Sequence, residues 1–417
     1  MKILCLIHYY PNPGANTICC ENIAKYLKSK GHTVDFLSVK VDENDIPFEI
    51  IDGSMVIRAD NTAYIFYEKY GVEFTKKDWT SLLWASISMT WLNEKVEKKL
   101  KPYTHSMLKS EVIKSKPYCR VLEEMNLHYD CILAYSGPFR MITLAKVLKE
   151  RGFADNWYPI FLDSYVHGHL KAGLSIRRRV AEYVLRSATQ VFMVDGILGE
   201  NIKQNFHPEY ENKTTEFYLP MLFKREDLKL RANDSKVVLV YAGSFYQGIR
   251  NPSKMLEILS NLPEQCYTRV FSRSNCRDIV NEKKQLFKPG RIYTSRQIPH
   301  EKCLEEVANS DILINLGNAV SNQMPCKIFE YISFGKPILN FYFIKEDMCL
   351  PILEKYPLGL NIDLSNYKEE QYEEIEKFVL ENKGRKISYE EATANLDKYK
   401  IENNISKIEE ILKKNLK

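Results

Sequence analysis

Between Asn322 and Ile338 the chain reads Asn-Gln-Met-Pro-Cys-Lys-Ile-Phe-Glu-Tyr-Ile-Ser-Phe-Gly-Lys-Pro-Ile, and several of these residue types could handle an anion. Pro325 suits the first turn of a helix, where its missing N–H costs nothing. Lys327 and Glu330 are three apart and share one face near that helix start. A helix start offers free N–H groups and a positive dipole end to a pyrophosphate. Lys327 would add a full charge, and Glu330, one turn deeper, could accept two ribose hydroxyls. Gly335 stops the helix and Pro337 leads into the next strand. The same spacing also fits a plain surface helix with an ordinary Lys–Glu pair.

A second basic residue, Arg250, follows the loop marked by Gly243 and Gly248. No two aspartates lie two apart, and neither a G-x-x-x-x-G-K loop nor a G-x-G-x-x-G turn occurs. Phosphate charge is therefore expected to be met by Arg250, Lys327 and the helix dipole, with no bound metal and no cofactor. Asp163 ends an apolar run, Tyr158 to Leu162, with Ser164 beside it and His167 and His169 just beyond. A partly buried carboxylate there could take a proton from a hydroxyl, or simply cap a helix or accept a structural hydrogen bond. The two histidines have no nearby third ligand, which argues against a metal site.

These residues need elements to position them. Residues 2–7 form an apolar strand, Glu21 to Leu27 an amphipathic helix ended by Gly31, and Thr33 to Leu37 a second strand. That is a β-α-β unit with parallel strands. Further strands end at Ser136, at Asp163 and at Asp195. The grammar restarts at Lys236–Ala242, followed by a helix opening at Pro252. Strands at 268–272, 291–294, 311–316 and 337–342 then alternate with helices at 300–309 and 325–334. This alternation predicts an α/β protein with two Rossmann-like domains facing a central cleft. The boundaries fall at 1–224, a polar linker at 225–235, a second domain at 236–399, and a charged amphipathic helix at 400–417 packing back on the first domain. Ligands of such sheets bind beyond the carboxyl ends of the strands.

With 417 residues the chain exceeds the ~250–300 at which single cores stop growing. A balance of 59 basic against 54 acidic residues, net +5, permits an anionic substrate or membrane surface but lacks the concentrated basic stripe of a nucleic-acid binder. Ten scattered cysteines without a C-x-x-C pair point to reduced thiols and a cytoplasmic setting. No signal peptide is visible, and the longest other apolar stretch, Leu82 to Leu92, is about half a bilayer span. Trp84 and Trp91 precede Lys95, Lys98, Lys99 and Lys101. With Trp157 and Arg177-Arg178-Arg179 they could dock on anionic lipid at the inner face of a membrane, or form a core-packing helix with a solvated basic end.

The 322–338 segment resembles the donor-site signature of GT-B-fold glycosyltransferases, family four above all, in which the helix commonly reads Pro-Ser-Lys-Ile-Phe-Glu-Tyr and ends in Gly-Lys-Pro. Tyr241-Ala242-Gly243-Ser244-Phe245 with Arg250-Asn251-Pro252 is similar to the opening of their C-terminal domains. Gly31-His32-Thr33-Val34 is similar to the end of their first helix, a match shared by many GT-B enzymes. The resemblance implies a donor site of Gly243, Arg250, Gln297, Ile298, Asn318, Lys327 and Glu330. In it Arg296 to Pro299 meets the base and Gly317-Asn318 borders the diphosphate or sugar. The loop Pro13-Gly14-Ala15-Asn16 would lie against donor and acceptor, although Asn16 could equally be a helix cap. Family four often has two glutamates with seven residues between them. Here Asn322 stands in the first place, beside the catalytic centre, and cannot carry negative charge. That leaves retention or inversion open.

The implied activity is transfer of a sugar from a nucleoside-diphosphate donor to a hydroxyl of a saccharide or lipid-linked acceptor, in surface polysaccharide biosynthesis, with Asp163 and Asn322 as catalytic candidates. The rivals are a sugar-nucleotide epimerase, which would form product without acceptor, and a non-catalytic saccharide- or partner-binding member, which would bind no nucleotide.

Overall fold

The computed structural model describes residues 1–11, 14–40, 45–59, 76, 101–136, 139–162, 181–194, 212–225, 235–321 and 324–416. The chain divides into two compact units, Met1–Tyr218 with Asn404–Lys417, and Leu219–Asn403.

In the first unit β1 (Lys2–Leu6), α1 (Ala15–Ser29), β2 (Thr33–Val39), β3 (Phe48–Ile51) and β4 (Ser54–Ala59) are followed by α2 (Lys101–Glu124), β5 (Tyr129–Tyr135), α3 (Arg140–Glu150), β6 (Ala154–Phe161), β7 (Val191–Val194) and β8 (Thr214–Phe217). They form one sheet in the order β3-β4-β2-β1-β5-β6-β7-β8. All neighbours are parallel except β3 and β4, a hairpin at the edge. A parallel strand covered on both faces needs a continuous apolar run, which Ile3 to Leu6 and Cys131 to Tyr135 supply, buried throughout.

The second unit contains β9 (Val237–Ala242), α4 (Ser253–Ser260), β10 (Cys266–Phe271), α5 (Arg277–Lys284), β11 (Ile292–Ser295), α6 (His300–Ala308), β12 (Ile312–Leu316), α7 (Lys327–Ser333), β13 (Ile338–Tyr342), α8 (Leu350–Leu353), β14 (Gly359–Asp363), α9 (Glu370–Glu381) and α10 (Tyr389–Ala392). Its sheet is wholly parallel, in the order β11-β10-β9-β12-β13-β14. The strand order reverses between β9 and β12, and between β1 and β5 in the other unit. Such a reversal opens a crevice for ligand at the carboxyl ends of the two flanking strands.

Two boundaries differ from the sequence expectation. The units part between Tyr218 and Leu219, ahead of the expected linker, because Leu222 bridges to Lys400 and its carbonyl accepts the Ile401 N–H at 3.0 Å. The 325–334 helix begins only at Lys327, with Cys326 as its N-cap. Ile328 N–H bonds the Pro325 carbonyl at 3.3 Å, so Pro325 sits in a tight turn ahead of the helix rather than in its first turn. Gly335 then ends α7 at φ +65°, and a Cβ there would fall 2.1 Å from the Ile387 carbonyl oxygen.

The terminal helix α11 (Ile401–Lys414) runs into the first unit. Asn404 exchanges two hydrogen bonds with the Tyr218 backbone, at 2.6 and 2.9 Å, and Glu409 meets His32 at 3.0 Å with both side chains buried. None of the ten cysteines forms a disulfide. Among the described residues no helix is long and apolar enough to cross a membrane.

Candidate donor site at the strand reversal of the second sheet

Beyond the carboxyl end of β9 the chain makes a tight loop in which Arg250 N–H bonds the Tyr246 carbonyl at 2.7 Å. The loop throws the Arg250 side chain across the reversal point. Its Nε and Nη2 both donate to Asn318 Oδ1, at 3.0 and 2.7 Å, and Nη1 donates to the Ser244 carbonyl at 3.3 Å. Asn318 follows β12, so this fork ties together the two loops that border the crevice.

Asn318 is fixed in turn. Its backbone N–H donates to Asp347 Oδ2 at 3.1 Å, and the other oxygen of Asp347 accepts the Cys349 N–H at 2.8 Å. The approach is so close that a Cβ on Gly317 would lie 1.9 Å from Asp347 Oδ2. Burial pushes the Asp347 carboxyl above the usual carboxylate range, against the pull of these N–H groups.

One turn into α7 lies the second cluster. Glu330 is completely buried, yet it is held well below the usual carboxylate range: burial opposes its charge, but Lys327, His300 and Arg225 outweigh that cost. Lys327 Nζ meets Oε1 at 3.1 Å, while His300 Nε2 and Arg225 Nη2 meet Oε2 at 3.2 and 3.7 Å. Lys327 Nζ also reaches Cys303 Sγ at 3.5 Å. Burial works against the Lys327 charge too, and Glu330 more than restores it, so this amine titrates above an ordinary lysine. Between the clusters stands the Tyr241 phenol. It donates to the Ser244 carbonyl at 3.2 Å, the oxygen that Arg250 Nη1 also reaches, and burial pushes it up to about 12 against the pull of Arg250 and Lys327.

The expected donor residues are thus spread unevenly. Gly243, Arg250 and Asn318 surround the end of β9, and Lys327 and Glu330 stand together on α7. Gln297 is exposed and Ile298 half-buried, in the extended stretch between β11 and α6. Glu330, expected to offer both oxygens to ribose, instead has them engaged by three basic side chains. In the first unit Gly14 is the N-cap of α1, with its carbonyl accepting the Ile18 N–H at 3.0 Å. Asn16 therefore lies inside the helix and does not cap it. Trp157, expected on a membrane-facing surface, is buried in β6 with Nε1 donating to the Ser187 carbonyl at 2.9 Å.

Asp163 and Asn322 lie outside the described residues, as do His167, His169, Trp84, Trp91, Lys95, Lys98, Lys99 and Arg177 to Arg179. Among the described residues no group of three or more His, Cys, Asp or Glu side chains could hold a metal ion. The sequence reading missed Arg225, His300, Asp347 and Tyr241. Tyr241 stood in the quoted match without a role, and His300 opened a helix behind Pro299; Arg225 and Asp347 carried no signal.

No family model matches the sequence, and no curated protein does either. Solved structures do match along the whole chain. Sucrose-phosphate synthase from Thermosynechococcus elongatus superposes with a TM-score of 0.60 at 12% identity, covering 99% of this chain and 98% of that one. The fold is GT-B. The catalytic domain of starch synthase IV from Arabidopsis thaliana, bound to ADP and acarbose, gives 0.59 at 10% identity over 99% and 98% of the two chains. WaaG, a glycosyltransferase involved in lipopolysaccharide biosynthesis, gives 0.56 at 14% identity over 99% of both. At such identities the likeness concerns the path of the chain and not its side chains.

Proposed function

We propose that this GT-B protein is a glycosyltransferase that moves a sugar from a nucleoside diphosphate to a hydroxyl of a saccharide or lipid-linked acceptor. The observation that carries this reading is that the loops after β9 and β12, which flank the reversal of the second sheet, are tied by Arg250 to Asn318 at 2.7 Å, while Lys327 opens the helix that follows β12. Negative charge grows on the departing diphosphate as the glycosidic bond breaks, and fixed cations there lower the barrier. The two basic side chains supply that charge without a metal or cofactor. Gly243 allows the backbone to come close, Asn318 fixes Arg250, and Gln297 and Ile298 meet the base.

The first unit takes the acceptor, with Gly14 and Asn16 as its contacts and Asp163 as proton acceptor in this reading. Asn322 is the second catalytic candidate in this reading. The solved neighbours include a lipopolysaccharide enzyme, and the reading extends to surface polysaccharide assembly in the cytoplasm, with peripheral contact to the inner face of an anionic membrane. The test is turnover of a panel of nucleotide sugars by the full chain, with and without saccharide acceptors, alongside Lys327→Ala. Turnover by the parent that falls at least tenfold in the variant supports the reading. Equal rate and affinity in both would remove Lys327 from the site, and product formed without acceptor would mean an epimerase.

A further inference from the structure

A guanidinium on a long side chain serves an anion well only where something fixes its direction. Arg250 has Nε and Nη2 on Asn318 Oδ1, so the rest of its guanidinium follows the Asn318 carboxamide. Asn318 is buried in the loop after β12, whose backbone has no helix or strand pattern to hold it. What holds it is Asp347, also buried, in the loop after β13. Oδ2 of Asp347 accepts the Asn318 N–H at 3.1 Å, and Oδ1 accepts the Cys349 N–H at 2.8 Å, closing a turn at the start of α8. One carboxylate therefore ties the two loops together. Gly317 leaves it room, since a Cβ there would lie 1.9 Å from Oδ2.

The strands beneath are locked as well. Asn315, Asn340 and Asn361 stand in register on β12, β13 and β14. Asn315 Nδ2 donates to Asn340 Oδ1 at 2.7 Å, and Asn340 Nδ2 to Asn361 Oδ1 at 2.8 Å, with Asn315 and Asn340 buried. A slip of one residue would turn these amides to the opposite face of the sheet, where Ile314, Leu339 and Ile362 pack. The asparagine row therefore fixes the register from which both loops leave the sheet.

We infer that Asp347 is a positioning residue of the donor site: it holds Asn318, Asn318 aims Arg250, and the asparagine row supports both loops from below. This rests on the donor-site reading above and adds to it a residue that acts without touching the ligand. Preorganised groups lose their effect when displaced by a fraction of an ångström, so a support two contacts away is felt at the reacting charge.

The experiment compares the full-length parent with Asp347→Ser, Arg250→Ala and the double variant. A serine hydroxyl can still close the local turn onto the Cys349 N–H but is too short to reach Asn318. Donor kcat/KM should fall by roughly tenfold in Asp347→Ser. The same change made in Arg250→Ala should cost less than about twofold, because a residue that acts through Arg250 then has nothing to act on. Equal losses in the two backgrounds overturn the inference. A second readout needs no turnover: hydrogen exchange of the Arg250 Nε–H, with the Asn340 carboxamide as internal reference. Asp347→Ser should speed the first by about tenfold or more and leave the second unchanged. Unchanged exchange at Arg250 overturns the inference, and so does equal acceleration at both groups, which marks general loosening of the sheet. If Asp347→Ser does not fold, Gly317→Ala serves, because its methyl displaces the same carboxylate, and the same exchange outcomes decide. A parent that turns over no nucleotide sugar sinks the transferase reading, and the exchange measurement then decides the positioning claim alone.

Discussion

Each sheet has a parallel core that reverses beside its first strand, and the two differ in what stands at that point. In the second unit that point is cross-linked by polar groups: Arg250 to Asn318, Asn318 to Asp347, and Lys327 to Glu330. In the first unit the end of β1 is aromatic. The Tyr10 ring stacks on Phe36 at 3.9 Å, and the Tyr10 carbonyl accepts from Arg58 Nε at 2.9 Å. Among the described residues the buried Nδ1 of His8 meets no hydrogen-bond partner, and burial, with Arg140 nearby, holds its pKa below that of an ordinary histidine. The end of the first strand therefore carries a pinned cationic site in one unit and a stacked aromatic one in the other. Fold sets where a ligand meets the sheet, and side chains set which ligand that is.

Substitutions can break this contrast from the cationic side. Arg250→Ala should have the largest effect, lowering donor kcat/KM by about 100-fold or more, as expected when one preorganised donor to the departing charge is lost. An effect under threefold in steady-state kinetics would remove Arg250 from the site. Gly335→Ala should come next. It forces a side chain into the left-handed region and against the Ile387 carbonyl, costing about 2 kcal/mol or more, read as a lowered urea midpoint. Asn318→Ala frees the Arg250 fork while keeping its charge. Donor kcat/KM should fall by roughly tenfold with a smaller change in stability, so a loss as deep as that of Arg250→Ala would make Asn318 a direct ligand.

The smallest effect belongs to the aromatic side. His8 titrates lower in the folded chain than its ordinary value near 6.5, so the unfolded chain binds more protons as pH falls below that value. Its contribution is complete above pH ~6.5 and is lost as pH drops through the folded value. His8→Gln should flatten the acid side of the stability–pH curve slightly and leave nucleotide binding unchanged. A matching loss of nucleotide affinity would blur the contrast between the two ends.

Much of this was legible from residue order. Apolar runs separated by helical periods gave both parallel sheets, since a strand buried on two faces must be apolar at every position, as Val237 to Ala242 is. Gly335 and Pro337 marked the end of α7, and Arg250 could be placed beyond β9 because it follows a glycine-marked loop. The rest depended on distant partners. Arg225 looks like the start of a polar linker until the fold sets it against Glu330, and Asp347 sits in an irregular loop without periodicity. Glu330 could be placed on the correct helix from its spacing to Lys327. Its burial came from α6 and residues 223–225, which no local pattern reveals.

The central claim, that the reversal point of the second sheet is a diphosphate site, is tested most directly by titrating nucleoside diphosphates of each base into the parent protein and into Lys327→Ala. At least one should bind the parent, and its affinity should fall by about tenfold or more in the variant, as expected for loss of a charge-assisted contact. Equal affinity in both proteins, or no binding to the parent by any base, would contradict the account.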